Sequence, residues 1–477
     1  MNFGAVWPEL IVAALGMSLI LLDVVVPAAR QRWLGFFAVA GIAASGIAAV
    51  IEPRGGSVDL GGMVHLDPFS LYFRVLFLMA AALVVLFSVD YVQARGKDLG
   101  EFLALLCFAT TGAMVMAISW DIVSLFVGLE LMSLSTYVLA GFLRDDPKSN
   151  EAGLKYFLNG ALASAVLLFG FSLLYGVTGQ TGIPELAHAL GTQAFQGFGV
   201  IVWLGMGLVL VALGFKVAAV PFHLWAPDAY EGSPTPVAAF LSVVVEGAGL
   251  VAFMRIVSTG LGPLDAQWGV WLAALSILTM TVGNVTALWQ RNIKRMFAYS
   301  SIAQVGYILA GLAVGTSSGI GSVLFYMAAY LFMTLGAFAV ISAISVSGQG
   351  DMIADYSGLG TRAPVLAVLL TLFLASLLGI PATAGFMGKI GLIGAAVHGG
   401  MVWLAVGIAV NSAISVAYYW MVARTMWVDP QPETVAPIRH STELGIALGV
   451  TTVGTLALGI LPQVFFLFAN WGSLGVR

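Results

Sequence analysis

Charged side chains are scarce in this chain. Asp, Glu, Lys and Arg make up 9% of its 477 residues, against about 25% in soluble domains, which excludes an ordinary water-soluble globule. Cysteine is scarcer still. The single Cys107 cannot close an intramolecular disulfide, and with no Cys/His cluster around it there is no iron–sulfur or zinc ligand set; lying in an apolar span, it reads as a packing residue. No GxGxxG opens a helix, and neither HExxH nor CxxC occurs. The two Gly-Lys pairs, Gly96-Lys97 and Gly388-Lys389, lack the Ser or Thr that completes a phosphate loop. These absences remove dinucleotide, nucleotide-phosphate, zinc-hydrolase and thiol-redox chemistry from the chain. Polar stretches long enough for a soluble domain are missing as well.

Apolar sequence fills the space. Hydrophobic residues make up 60%, the mean hydropathy is +1.00, and runs of about 20 apolar residues, each able to cross a core of ~30 Å, recur from one end to the other. The expected fold is an all-α polytopic membrane protein, a single membrane domain in the lipid bilayer. About 14 spans are predicted from the apolar runs, near 5–27, 33–51, 67–89, 101–119, 122–143, 152–178, 197–221, 236–258, 267–289, 297–317, 319–345, 363–398, 401–424 and 441–464. Short cytoplasmic loops collect Lys and Arg. With the N-terminus outside, the cytoplasmic side holds Arg30, Arg32, Arg95, Lys97, Arg144, Lys148, Lys155, Arg291, Lys294, Arg295, Arg362, Arg424 and Arg439, and the other side only Arg54 and Arg477. Both termini are therefore expected on the periplasmic face of the inner membrane. The first span follows Glu9, has no basic n-region and contains Asp23, so it reads as a retained helix and not a signal peptide. Glycine, at 57 residues, suits close packing of membrane helices.

Four ionisable residues stand out inside the spans: Lys216, Lys389, Glu130 and Glu246. A charge near the bilayer centre costs about 2.5–3.5 kcal/mol on insertion scales, so such groups pair within the protein and mark an ion or proton path. Lys216 is followed by Pro221, Pro227, Pro234 and Pro236, and no continuous helix survives that density of proline. Irregular backbone at membrane depth is tolerated only against protein or a water-filled cavity. His223, Asp228 and Glu231 fall in the polar loop that follows, which reads either as a simple turn or as the cytoplasmic mouth of a proton path. The stretch 363–398 would reach about 50 Å at ~1.5 Å per residue, and its Pro381 and Lys389 lie in Leu377-Leu-Gly-Ile-Pro-Ala-Thr-Ala-Gly-Phe-Met-Gly-Lys389. The twelfth span is therefore expected to break. A lysine beside an interrupted helix in both the seventh and twelfth spans is the mark of an inverted-repeat transporter. Spans 4–8 (101–258) and 9–13 (267–424) would be the five-helix repeats, with spans 1–3 (1–100) before them and a last helix (441–477) after. Glu130 has no basic residue within two turns, so its partner is expected on another helix, with Lys216 the candidate. Glu246 is central in the eighth span, with Arg255 nearer the end of that span as an ion partner at a distance. Ser300, Ser301 and Gln304 add polar groups on the tenth span, while Glu151 and Lys155, at i,i+4, read as a surface pair.

The same segments carry a resemblance. Phe126-Val-Gly-Leu-Glu-Leu-Met-Ser-Leu-Ser135, Val220-Pro-Phe-His-Leu-Trp-Ala-Pro-Asp-Ala-Tyr-Glu-Gly-Ser-Pro-Thr-Pro236, Asn292-Ile-Lys-Arg-Met-Phe-Ala-Tyr-Ser-Ser-Ile-Ala-Gln-Val-Gly-Tyr307 and Gly379-Ile-Pro-Ala-Thr-Ala-Gly-Phe-Met-Gly-Lys389 are similar to segments of the antiporter-like membrane subunits of bacterial NADH-quinone oxidoreductase, respiratory complex I. The likeness spans nearly the whole length. The second and third segments are shared with multisubunit Na⁺/H⁺ antiporters, while the lysine after Gly-Ile-Pro-Ala-Thr-Ala-Gly-Phe favours the subunit N branch. The resemblance implies a Glu130–Lys216 pair between the fifth and seventh helices, Lys389 as the twelfth-helix group, and a polar axis joining them at mid-membrane. One residue departs from it: Glu246 stands where that branch usually has a lysine. The implied function is proton translocation through buried Glu and Lys residues, coupled to quinone reduction by NADH, with no redox centre in this chain. NADH, FMN, iron–sulfur clusters and quinone are expected on partner subunits. The expected partners are other antiporter-like and small membrane subunits, and no nucleic acid. A subunit of a multisubunit cation/proton antiporter or of a membrane-bound hydrogenase-type complex is the alternative.

Overall fold

A computed structural model describes residues 3–27, 31–52, 58–192, 194–261, 265–348, 350–431, 438 and 441–474; Arg30, Arg54, Arg439 and Arg477 lie outside the described residues. In chain order, α1 (Trp7–Val25) and α2 (Arg32–Ile51) precede a small hairpin of β1 (Val58–Asp59) and β2 (Val64–His65), then α3 (Pro68–Ala94), α4 (Leu99–Ile118), α5 (Ile122–Ala140) and α6 (Pro147–Thr178). A short α7 (Ile183–Thr192) leads into α8 (Ala194–Lys216) and α9 (Trp225–Gly232). The eighth span, Thr235–Gly260, is composite: α10 (Thr235–Phe240), a π-helical stretch Leu241–Val245, α11 (Glu246–Met254) and a second π-helical stretch Arg255–Gly260. There follow α12 (Asp265–Ala287), α13 (Ile293–Ala313), α14 (Ser317–Val346), α15 (Leu359–Arg362), α16 (Pro364–Leu378), α17 (Ala384–His398), α18 (Val402–Trp427), α19 (Thr442–Ile460) and α20 (Pro462–Ser473).

Thirteen helices among the described residues are long and apolar enough to cross a membrane. α16 and α17, apolar and 15 residues each, are about 22 Å long at 1.5 Å per residue and together make one further crossing. The expectation of about 14 spans is met, including the broken twelfth. Two expectations need correction. The seventh span, placed at 197–221, stops at Lys216, because the prolines downstream allow only turns before α9. The eighth span, taken as one helix, contains two π-helical stretches, features that recur at functional sites.

Polar side chains at the loops start many of these helices. Asp67 accepts from the Ser70 amide at 2.7 Å while the Ser70 hydroxyl accepts from the Asp67 amide at 3.0 Å, and Asn292 accepts from the Arg295 amide at 3.0 Å. Each such cap satisfies an amide that the helix itself leaves unpaired. Most spans are apolar on every face, so packing depends on shape. A methyl group on Gly112 would meet the Gly128 carbonyl oxygen at 2.6 Å, and one on Gly283 would meet the Ala303 amide at 2.6 Å. α4 therefore lies backbone to backbone on α5, and α12 on α13. The eighth span is wholly enclosed and α13 nearly so, whereas α6 buries only 39% of its apolar stretch. The middle of the molecule is thus built from the eighth span, α13 and α14.

Candidate proton-relay site

α5 presents Glu130, Ser133 and Tyr137 at i, i+3 and i+7, one face of a helix, toward the end of α8. There the buried Lys216 ammonium donates to Ser133 Oγ at 2.7 Å and Tyr137 Oη at 3.3 Å. No ion pair joins it to Glu130, whose Oε1 is buried without a hydrogen-bond partner among the described residues. The expected Glu130–Lys216 pair makes no direct contact: Ser133, one turn along α5, stands nearest the lysine and donates its own proton to the Leu129 carbonyl, and Glu130 acts on Lys216 through its charge. Tyr137 packs edge-on against Tyr156, which stacks on Trp225 of α9. The proline-rich loop therefore braces the lysine site through these rings.

α9 carries the polar part of that loop. Asp228 bridges Lys155 at 2.9 Å and Arg295 at 2.7 Å; Glu231 bridges Arg295 at 3.1 Å and Lys148 at 3.6 Å; Glu151 pairs with Lys155 at 2.6 Å. These side chains line an open cavity of about 180 Å³ on the basic side of the bundle. Burial works against ionisation of Asp228, but hydrogen bonds from Lys155 and Arg295 hold its carboxyl below the ordinary value. Glu151–Lys155, expected as a surface pair, is exposed as expected and is also one arm of this network. His223 is buried in the turn before α9, and that burial lowers its proton affinity.

Glu246 opens α11, directly after the first π-helical stretch. It is 1% exposed, and its two carboxylate oxygens are taken by hydroxyls: Tyr230 Oη donates to Oε1 at 2.5 Å and Ser301 Oγ donates to Oε2. Gly249, one turn further, lies against Lys216, since a methyl there would sit 3.2 Å from Lys216 Cβ. The eighth span therefore packs against the backbone end of Lys216 one turn away from Glu246.

Arg255 does not serve Glu246. It pairs with Asp67 through two contacts, Nη1–Oδ2 at 2.7 Å and Nη2–Oδ1 at 2.9 Å, with its guanidinium over the Phe69 and Trp120 rings at 4.5 and 4.8 Å. The cause is reach. Nine residues of helix separate Glu246 from Arg255, about 13.5 Å, whereas the cap of α3 stands beside the arginine. Burial opposes the Asp67 charge, yet the Arg255 guanidinium holds the carboxyl well below the usual range.

On α13, Ser300 Oγ lies 2.5 Å from Tyr419 Oη, Gln304 Nε2 donates to Tyr419 Oη at 3.3 Å, and Tyr326 Oη donates to Gln304 Oε1. Further along, Asn284 donates to Tyr307 Oη at 3.1 Å and accepts from Tyr418 Oη at 3.0 Å. Lys389 completes the line. Its ammonium caps the broken helix, donating to the Leu377 and Leu378 carbonyls at 2.9 and 3.0 Å and to Ser412 Oγ at 2.8 Å, and stands 4.8 Å over the Tyr307 ring. Those carbonyls are free because α16 ends at Gly379 in the left-handed region, φ 94°; a cation there also meets the negative end of the half-helix dipole. Neither Lys216 nor Lys389 has an ion partner among the described residues. Tyr230, Tyr326, Tyr419, Asn284 and Ser412 were not expected from the sequence; the last four have as their only signal a hydroxyl or amide inside an apolar span, and Tyr230 is one residue of the proline-rich loop.

An all-helical membrane body with a broken helix, buried lysines and a mid-membrane line of polar side chains defines an antiporter-like membrane subunit. A family model described as "NADH:quinone oxidoreductase/Mrp antiporter, TM" matches residues 119–415. NADH-quinone oxidoreductase subunit N of Trichlorobacter lovleyi is 44% identical over 470 residues, 98% of this chain and 96% of its own length; subunit N of Moorella thermoacetica is 43% identical over 461 residues, 97% and 96%. Among solved structures, a chain of respiratory complex I from Thermus thermophilus with bound aureothin is similar at TM-score 0.80 and 33% identity, covering 97% of this chain and 99% of that one. A chain of the Mrp complex from Dietzia shares the fold at TM-score 0.88 and 24% identity, covering 100% and 98%. The chain belongs to the NADH:quinone oxidoreductase/Mrp antiporter membrane-subunit family, within its NADH-quinone oxidoreductase subunit N branch.

Proposed function

We propose that this chain is the proton-translocating membrane subunit of a respiratory NADH-quinone oxidoreductase, in which Lys216, Glu246 and Lys389 change protonation in response to redox chemistry on partner subunits. The observation that carries this reading is the pair of buried lysines held by hydroxyls and carbonyls alone, with Glu246 and the polar side chains of α13 between them. Lys216 has the Glu130 charge nearby but no direct ion pair, and Lys389 has no charged partner among the described residues. A proton arriving at one site changes the field felt at the next across a water-poor interior, where charges interact far more strongly than in water. Glu130 tunes Lys216 from one turn beyond Ser133. The ion network around Asp228, with His223 in the turn before α9, forms the mouth on the cytoplasmic side, and the Lys/Arg bias supports an inner-membrane orientation with both termini outside.

NADH, FMN, the iron–sulfur clusters and the quinone belong to partner subunits, among them other antiporter-like and small membrane subunits. The backbone-to-backbone pairs α4/α5 and α12/α13, and the breaks after Lys216 and before Lys389, support reading spans 4–8 and 9–13 as inverted repeats. The deciding experiment is NADH-driven proton uptake by the intact complex in proteoliposomes, carrying Lys216→Ala, Glu130→Ala or Lys389→Ala. The reading expects each variant to lower the proton-to-electron ratio more than it lowers complex abundance. Wild-type ratios in all three would end it. Co-purification in mild detergent with cation-antiporter subunits, and without flavin and iron–sulfur chains, would favour the antiporter alternative.

A further inference from the structure

Two of the groups that hold Lys389 lie outside the broken helix that it caps. The Leu377 and Leu378 carbonyls belong to α16, whereas the Ser412 hydroxyl, at 2.8 Å, comes from α18 and the Tyr307 ring, at 4.8 Å, from α13. Both of these lead back to one amide on a third helix. Asn284 of α12 is fully buried. Its Nδ2 donates to Tyr307 Oη at 3.1 Å and to Oδ1 of Asn411, the residue before Ser412, at 3.4 Å, while its Oδ1 accepts from Tyr418 Oη at 3.0 Å. Asn411 is anchored in turn, donating to Thr281 Oγ1 at 3.1 Å and to the Gly407 carbonyl at 3.0 Å.

Resting on the reading that Lys389 changes protonation, we propose that Asn284 is a positioning residue for it: Asn284 fixes the Tyr307 ring beneath the ammonium and, through Asn411, the part of α18 that presents Ser412. The physical basis is a buried amide with its hydrogen bonds made. Leaving such a donor or acceptor unpaired is costly, so the three bonds lock the Asn284 side chain, and a locked donor sets where Tyr307 Oη stands. The hydroxyl is the far end of the ring, and tying it down keeps the aromatic face under the cation. That face attracts the ammonium and has no charge to attract in the neutral amine. Asn284 thereby favours the protonated lysine without touching it. The elements packed on α17 bring no other charge to the site. α16 and α20 contain no acid or base, the one acid of α19, Glu443, is paired with Arg32, and α13, α14 and α18 surround the lysine with Tyr307, Tyr326 and Ser412.

The test uses the intact complex in proteoliposomes, with the proton-to-electron ratio measured during NADH oxidation across a range of pH. Asn284→Leu keeps a branched side chain and removes all three bonds; Tyr307→Phe keeps the ring and removes only the hydroxyl that Asn284 holds. The alkaline pH at which the ratio falls to half is expected to move down by about 0.5–1 unit in each variant. The double variant is expected to move no further than Asn284→Leu alone, because both changes break one linkage. A merely structural Asn284 would lower complex abundance and leave that pH unchanged in the complexes that form. An unmoved half-point in either variant overturns the proposal, as do shifts that add in the double variant. If Asn284→Leu fails to assemble, Tyr307→Phe decides alone. Lys389→Ala in the same vesicles tests the reading underneath: an unchanged ratio there removes the relay role of Lys389 itself, whatever Asn284 does.

Discussion

Glu246 sits in an unusual setting for a buried acid: it accepts from two hydroxyls and pairs with no cation among the described residues. Glu246→Gln keeps the size and one acceptor while removing the titratable oxygen, so the Tyr230 and Ser301 contacts survive in part. The expected outcome is a complex that assembles and reduces quinone but pumps fewer protons per electron; NADH oxidation and vesicle acidification measured together decide it. An unchanged ratio would leave Glu246 as packing. Legibility at this scale was uneven, for a physical reason. Ionisable residues announce themselves in apolar sequence because each costs insertion energy wherever it lies, so Lys216, Lys389, Glu130 and Glu246 could be picked out. A tyrosine costs little in a membrane helix, so nothing marked Tyr419 or Tyr326 as members of the polar line. The Glu130–Lys216 partnership, read from opposite charge, acts through charge without a direct ion pair, because Ser133 and Tyr137, which share the Glu130 face, take the hydrogen bonds.

At the scale of the element, glycine decides where the site residues stand. A methyl group on Gly160 of α6 would fall 1.9 Å from Tyr137 Oη, so Gly160→Ala must push that hydroxyl away from Lys216. Overpacking of this kind costs about 1–3 kcal/mol. The expected result is a less heat-stable complex with lowered proton pumping, while Gly176→Ala on the same helix, where nothing lies within 4 Å, leaves both unchanged. The Asp67–Arg255 pair fixes the far end of the eighth span to the start of α3. Removing one partner of a buried pair costs about 3–5 kcal/mol, so Asp67→Asn is expected to lower the melting temperature in a detergent thermal-shift assay. Because the folded carboxyl titrates below the unfolded one, its contribution is complete above the unfolded value of about 3.9 and declines only as pH falls through the lower, folded value. An acid titration of the wild type should therefore show no loss from this pair above pH ~4. The breaks after Lys216 and around Pro381 were readable from proline; the π-helical stretches in the eighth span were not, because they carry no residue signature.

For the whole molecule, chain direction alternates through the spans, and the basic side is marked by the Asp228–Arg295–Lys155 network. Both termini are expected on the opposite side from that network. Cysteines introduced near residues 4 and 474 should react with an impermeant thiol reagent in intact cells, and one introduced at Lys148 should not. The resident Cys107 is buried and adds no background. Protection of either terminus would reverse the assignment. The number and order of spans were legible because hydrocarbon thickness imposes a length on each; which spans occupy the centre was not, since helices apolar on every face give no clue to their neighbours. The broken twelfth span also bears on biogenesis. α16 and α17 are each too short to bridge ~30 Å of hydrocarbon, and the carbonyls exposed at the end of the first are satisfied only once Lys389, on the second, arrives with Ser412 of α18. An insertion machinery releasing one helix at a time into lipid would strand bare carbonyls and then an ammonium ion at mid-bilayer. Residues 364–427 must therefore leave it as one unit, and a nascent chain halted between Leu378 and Lys389 should remain held at the translocon.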